Sequence, residues 1–135
     1  MKSYLIDTDI LSLFLRNQLI VVENFKRYFS GSIKPQISIF TYYEILSGLK
    51  YRDSKNLLDK FLELTQLLQI VNISIKSAEI SANIYVDLRA NGITIDEVDI
   101  FISGICIAEN LTLITDNEKH YQNVKGLFIE NWSKS

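Results

Sequence analysis

The chain has 135 residues, with 14 Lys/Arg against 16 Asp/Glu, one His, one Cys and one Pro. A hydrophobic content of 47% excludes a disordered linker, no apolar run is long enough to span a bilayer, and a net charge of −2 excludes a binder recognised by global basicity. A lone cysteine excludes an internal disulfide, and Asp7 cuts the first apolar run too early for a signal peptide, so one cytoplasmic domain over residues 1–135 is expected.

In chain order, Tyr4-Leu5-Ile6 reads as a buried strand, and Asp7 stands at its carboxyl end. Thr8 or Asp9 suits the N-cap of a helix that starts near Ile10 and ends near Arg16-Asn17. Gln18 to Phe29 reads as a second helix, closed by Gly31. Gln36 to Phe40 is a second strand. Thr41 then has the look of an N-cap, with Glu44 at capping-box spacing, so a structural role for Glu44 is one expectation. Lys55 to Gln69 is amphipathic, Ile70 to Ile73 a third strand, and Ser77 to Asn91 a helix closed by Asn91-Gly92. A buried helix follows Ile95-Asp96-Glu97-Val98-Asp99, runs through Ala108 and ends at Asn110. Leu111 to Thr115 is a fourth strand and Leu127 to Ile129 a last short one. Strands separated by helices along the whole chain predict an α/β fold with a mainly parallel sheet covered on both faces.

Charge is divided unevenly. Residues 1–60 hold nine Lys/Arg and six Asp/Glu, whereas residues 61–135 hold five and ten. Lys50, Arg52 and Lys55 form the densest basic stretch and are candidates for phosphate contacts. Tyr42, Tyr43 and Tyr51 suit base stacking, although core packing accounts for Tyr42 equally well.

Four acidic positions fall at one end of the expected sheet. Asp7 ends strand one, Glu44 opens the helix after strand two, Asp99 opens the buried helix, and Asp116 follows strand four. In open parallel sheets the crevice beyond the carboxyl ends of the strands is the ligand site. Carboxylates gathered there repel and raise one another's pKa unless a divalent cation sits between them. An all-oxygen set suits Mg²⁺ or Mn²⁺, and no Cys/His cluster competes. Such centres serve phosphate chemistry. Each member also has a bland explanation, because acidic residues favour the first turns of helices. At the fourth position, Asp116 offers a charged oxygen and Asn117 only an amide, so Asp116 is the expected ligand, directly or through a water. His120 falls in a loop and receives no role.

Leu5-Ile6-Asp7-Thr8-Asp9, Tyr43-Glu44-Ile45-Leu46-Ser47-Gly48, Val98-Asp99-Ile100-Phe101-Ile102-Ser103-Gly104 and Leu113-Ile114-Thr115-Asp116-Asn117 together resemble the PIN-domain ribonucleases. The ending, from Lys119-His120-Tyr121 to Ile129-Glu130-Asn131-Trp132, is similar to that of VapC toxins of bacterial toxin–antitoxin pairs. The resemblance covers nearly the whole chain. It implies a three-layer α/β/α PIN-like fold, with Asp7, Glu44 and Asp99 at the metal-binding positions. It also implies Mg²⁺- or Mn²⁺-dependent endonucleolytic cleavage of RNA, often transfer or ribosomal RNA, an antitoxin partner and a homodimer. Asp9 departs from the family, which commonly carries Asn or another neutral polar residue there.

Two rival chemistries share some of these features. Asp7-Thr8-Asp9 is a D-x-D after an apolar strand, as in haloacid-dehalogenase-type phosphotransferases, but Leu11 stands where those enzymes usually have Thr. A phosphorylated receiver domain would need an Asp after the third strand, where the chain has Ile73-Ser74. A domain that binds RNA without cutting it would not need the full acidic set.

Overall fold

The computed structural model describes residues 2–30 and 33–134. The expected Gly31 closure of the second helix lies outside them. Within these residues five strands, β1 (Tyr4–Ile6), β2 (Gln36–Ser38), β3 (Gln69–Val71), β4 (Thr112–Ile114) and β5 (Ile129–Glu130), form one sheet in the order β3-β2-β1-β4-β5. Every pairing is parallel. Among the described residues seven helices connect them: α1 (Thr8–Leu15), α2 (Leu19–Tyr28), α3 (Ile39–Tyr51), α4 (Lys55–Thr65), α5 (Ile75–Ala90), α6 (Glu97–Glu109) and α7 (Glu118–Tyr121). The three-layer α/β/α architecture expected from the sequence is observed.

The layers follow from strand alternation. Tyr4 and Ile6 of β1 and Ile114 of β4 pack with Ile10, Leu11, Val21, Phe25, Ile45 and Phe61 of α1 to α4. Leu5 and Leu113 point the other way, onto Ile102, Ile105 and Cys106 of α6 and onto Tyr121. Successive strand residues face opposite sides, so three-residue strands serve two cores at once. Cys106, the lone cysteine, is a buried free thiol. Beyond β5, Trp132 sits among Tyr4, Phe25, Tyr28 and Phe29 with ring centroids 4.8 to 5.8 Å away. This aromatic seat fixes Asn131 and Ser133 beside the end of β4. Among the described residues no helix is long and apolar enough to cross a membrane.

Several boundaries differ from the sequence reading, and capping chemistry explains the important ones. β2 stops at Ser38 instead of Phe40, because the Ser38 hydroxyl accepts the Thr41 N–H at 3.1 Å and opens α3 at once. Thr41 is therefore the third residue of α3, not its cap. Glu44 falls in the second turn, away from the capping-box position. α1 starts at Thr8 with Asp7 as its N-cap, so neither Thr8 nor Asp9 holds that place. Ser74 and Ser77 form a reciprocal capping box for α5, two residues before the expected start. α4 ends at Thr65 instead of Gln69, and β5 lies two residues later than expected. Residues 118–121, read as loop, form α7. Gly92 has φ +70° after the C-cap Asn91, as the Asn-Gly pair predicted.

α5 lies directly on α6, and Gly104 permits the approach. A Cβ there would fall 1.9 Å from Ser81 Oγ and 2.7 Å from the Ser77 carbonyl oxygen. The second contact is backbone, so helix α5 itself must move. Gly104→Ala should destabilise the protein by about 1–3 kcal/mol, the usual cost of overpacking. Gly48, within α3, meets only Arg52 Nη1 at 3.8 Å, so Gly48→Ala should stabilise by up to ~1 kcal/mol through helix propensity. Urea unfolding midpoints of the two variants should move in opposite directions.

Candidate active site

The carboxyl ends of β1, β2 and β4 open onto a cavity of about 400 Å³. Its wall carries five carboxylates: Asp7, Asp9, Glu44, Asp96 and Asp99. It also carries Thr8, Asn117, His120, Arg16 and Arg52. Asp7, Glu44 and Asp99 are thus brought together from three distant parts of the chain, as their strand-end and helix-start positions implied.

Asp7 is the buried member, with 5% of its surface exposed. Its Oδ1 accepts the Thr8 N–H at 2.9 Å. Its Oδ2 accepts from the Thr115 hydroxyl at 2.8 Å and lies 3.2 Å from the Tyr121 hydroxyl. Burial, and then the charge of Asp9, push the Asp7 carboxyl up to about 7, while the Thr115 and Thr8 hydrogen bonds oppose the rise. Asp99 stands in the first turn of α6. Its Oδ1 accepts from the Tyr121 hydroxyl at 3.0 Å and its Oδ2 lies 3.1 Å from His120 Nδ1. Glu44 Oε1 accepts a hydrogen bond from the Thr8 hydroxyl at 2.6 Å. Thr8 Oγ1 then has no hydrogen left for Thr41 Oγ1 at 2.9 Å, so Thr41 donates to Thr8. A relay from Thr41 through Thr8 sets the Glu44 carboxylate.

Asp116 is placed differently. Its Oδ1 accepts from Asn131 Nδ2 at 2.9 Å and from the Ser133 hydroxyl at 2.8 Å, and these bonds hold its carboxyl below the usual range. The side chain is absent from the cavity wall, where Asn117 stands instead. Asp116 reaches the site through its backbone: its N–H donates to Asp9 Oδ2 at 2.9 Å. Asp9 Oδ1 accepts the Ile10 N–H at 2.7 Å, and burial raises the Asp9 carboxyl.

The basic stretch is divided as well. Arg52 lines the cavity, whereas Lys50 and Lys55 do not. Arg16, at the C-terminal end of α1, joins Arg52 there. Sequence reasoning passed over Arg16, Tyr121 and the Thr8–Thr41 pair. His120, left without a role, lines the cavity beside Asp99.

Within the described residues no three Asp, Glu, His or Cys side chains form a ready ligand cluster. The donor chemistry nevertheless fits a hard divalent cation. All the carboxylates offer oxygen, and among the described residues the only ion-pair partner of any of the five is His120, on Asp99. A cation between Asp7, Asp99 and Glu44 would offset the cost of burying the Asp7 charge and its repulsion by neighbouring carboxylates.

The PIN domain family model matches residues 4–126. The chain belongs to the PIN-domain family. This PIN domain is 32% identical over 92 residues to ribonuclease VapC2 of Rickettsia felis, covering 68% of the chain and 66% of that relative. It is 31% identical over 98 residues to ribonuclease VapC1 of Methanocaldococcus jannaschii, covering 73% and 70%. The aligned stretch therefore spans about two thirds of these relatives' length. The crystal structure of VapBC2 from Rickettsia felis, bound to a DNA fragment from its promoter, superposes with a TM-score of 0.81 at 26% identity, over 96% of this chain and 98% of that one. The phosphotransferase reading of Asp7-Thr8-Asp9 and the receiver-domain reading give way to this assignment.

The raised Asp7 carboxyl has a consequence for stability. The folded protein holds this proton more tightly than the unfolded chain does. The stabilisation is complete below the ordinary value of 3.8 and is lost as pH rises through about 7. Asp7→Asn mimics the protonated form and removes the dependence. In metal-free protein, the thermal midpoint of wild type should fall relative to Asp7→Asn between about pH 4 and pH 8. A relative loss of at least about 4 °C corresponds to ~1 kcal/mol in a chain of this size.

Proposed function

We propose that this PIN domain is a divalent-metal-dependent endoribonuclease and the toxin of a VapBC-type pair, with an antitoxin as its protein partner and a homodimer as its working state. The observation that carries the reading is the cavity itself, where Asp7, Asp99 and Glu44 converge with almost no ionic partner of their own. The names of the VapC relatives support ribonuclease activity, and the VapBC2 complex supports the protein partner. Transfer or other structured RNA is the proposed substrate.

In this mechanism Asp7, Asp99 and Glu44 hold Mg²⁺ or Mn²⁺. The cation would supply activation of a water and neutralisation of charge on the phosphate. The protein's own groups do the positioning. Thr8 and Thr41 orient Glu44, and Thr115 orients Asp7. Asn117 offers an amide at the cavity wall, and Asp116 acts from behind through Asp9. Arg16 and Arg52 take phosphates flanking the scissile one. α1 separates Arg16 from Asp7 by its own length, roughly 12 Å for eight residues. Among the described residues neither arginine forms an ion pair with a carboxylate of the cavity wall.

With Mg²⁺ or Mn²⁺ present, the wild type should cut RNA to 5′-phosphate and 3′-hydroxyl ends, and EDTA should stop it. Asp7→Asn and Asp99→Asn should lose at least about 100-fold in cleavage rate while remaining folded. Glu44→Gln should also lose activity, with its thermal midpoint close to wild type because Glu44 caps nothing. Asp116→Asn should cost less than any of these. Cleavage that persists in EDTA, or cyclic phosphate ends, would contradict a metal-activated water.

RNA binding supplies a separate measurement. Arg16→Ala with Arg52→Ala should weaken binding and lower the slope of log K against log salt by about two, one for each phosphate contact. Lys50→Ala with Lys55→Ala should change the slope less, since neither side chain lies on the cavity wall.

A further inference from the structure

Tyr121 has two parts with different surroundings. Its ring is packed in the core with Leu5, Ile102, Ile105 and Leu113, and the residue is 1% exposed. A phenylalanine would fill that space equally well. The hydroxyl needs its own explanation, because a buried hydroxyl is costly unless it is hydrogen-bonded. It lies 3.0 Å from Asp99 Oδ1 and 3.2 Å from Asp7 Oδ2. It is the one side-chain group within hydrogen-bond distance of both carboxylates among the described residues, and its single hydrogen goes to one of them at a time.

The remaining partners show what this bridge does. Of the two carboxylates, the Thr8 N–H and the Thr115 hydroxyl serve only Asp7, and His120 serves only Asp99. Each of these can fix one carboxylate, but none fixes the separation between the two. A carboxylate turns in a broad, two-fold torsional well, so packing alone sets its plane weakly. The Tyr121 hydroxyl stands between Asp7 Oδ2 and Asp99 Oδ1: its one hydrogen goes to Asp99 Oδ1, the shorter contact at 3.0 Å, and its oxygen keeps a fixed place 3.2 Å from Asp7 Oδ2. Asp7 Oδ1 and Asp99 Oδ2 keep a lone pair each for the cavity. The hydroxyl's own position is set by a ring wedged between β1, β4 and α6, so the core transmits its rigidity to the site.

We propose that the Tyr121 hydroxyl is the positioning group that sets the spacing and plane of the Asp7–Asp99 pair, and with them the affinity for the divalent cation. The inference rests on the metal-centre reading above. Partners that orient ligating groups from behind typically contribute 10- to 100-fold in metal affinity.

The test is calorimetric binding of Mn²⁺ alone to metal-free wild type, Tyr121→Phe and Thr115→Val, with a thermal melt of each. Tyr121→Phe should bind Mn²⁺ about tenfold more weakly or worse, with a melt close to wild type. Thr115→Val, which leaves the bridge in place, should lose less affinity. A purely structural Tyr121 would lower the melt and leave Mn²⁺ affinity unchanged. Equal or tighter Mn²⁺ binding by Tyr121→Phe overturns the proposal, as does an equal or greater loss in Thr115→Val. Wild type that binds no Mn²⁺ overturns the metal centre itself and the proposal with it. Wild type that binds while Tyr121→Phe matches it removes only the role of Tyr121.

Discussion

The burial of Asp7 at the carboxyl end of the central strand constrains the rest of the molecule. β1 is the middle strand of five, so its end is bordered by β2 on one side and β4 on the other. Parallel pairing continues past the strand, because the Asp7 N–H donates to the Ile114 carbonyl at 2.9 Å. A carboxylate in that place is removed from water on every side but the cavity. It requires donors, and the neighbouring elements supply them: Thr8 from α1 and Thr115 from the end of β4, with the Tyr121 hydroxyl of α7 3.2 Å away. Each donor is fixed by packing that has nothing to do with chemistry. The sheet and its helices act as a frame that makes a costly charge tolerable in one position only.

The same frame sorts the other acidic residues. α6 delivers Asp99 opposite Asp7 because the helix is pressed into the sheet by Ile102, Ile105 and Cys106. Its closeness to α5, permitted by Gly104, sets the depth at which its first turn emerges. α3 delivers Glu44 one turn later than a capping box would, which frees its carboxylate from the helix terminus and hands it to Thr8. Asp116 follows a strand whose next neighbour, β5, leads into Asn131 and Ser133, and these capture its side chain. Proximity in sequence to a strand end therefore does not suffice. The side chain goes to whichever donors are better placed.

Much of this was legible in the chain. Apolar runs ending in Asp7 and Thr115, and an apolar helix opened by Asp99, carry the parallel sheet and its crevice. The illegible parts have specific causes. Ser38 and Thr41 stand three positions apart, as do Thr41 and Glu44, so two caps competed, and the Ser38 hydroxyl that accepts the Thr41 N–H ended β2 early. α7 has four residues, too few to show a helical period, and so the sequence alone could not join His120 and Tyr121 to Asp99 and Asp7. Arg16 reads as an ordinary residue at the end of a short helix. Its presence on the cavity wall depends on the course of α1 across the sheet, which no local pattern encodes. Asp116 and Asn117 are adjacent, and only the aromatic seat of Trp132, far along the chain, separates their roles.

Why the functional residues look ordinary one at a time has a physical answer in the helices. Asp7 caps α1, and Asp96, Glu97 and Asp99 lie at the start of α6, where partial positive charge favours anions. Arg16 and Arg52 stand at the C-terminal ends of α1 and α3, where partial negative charge favours cations. Each placement contributes some 0.3–1 kcal/mol of its own at exposed ends. The helix dipoles thus support the same separation of charge that RNA cleavage would use, carboxylates at one end of α1 and arginines at the other. A helix-terminal preference and a role in the site are not competing explanations for these residues. The preference lowers the cost of the role, and only the convergence of several such ends on one cavity distinguishes the two.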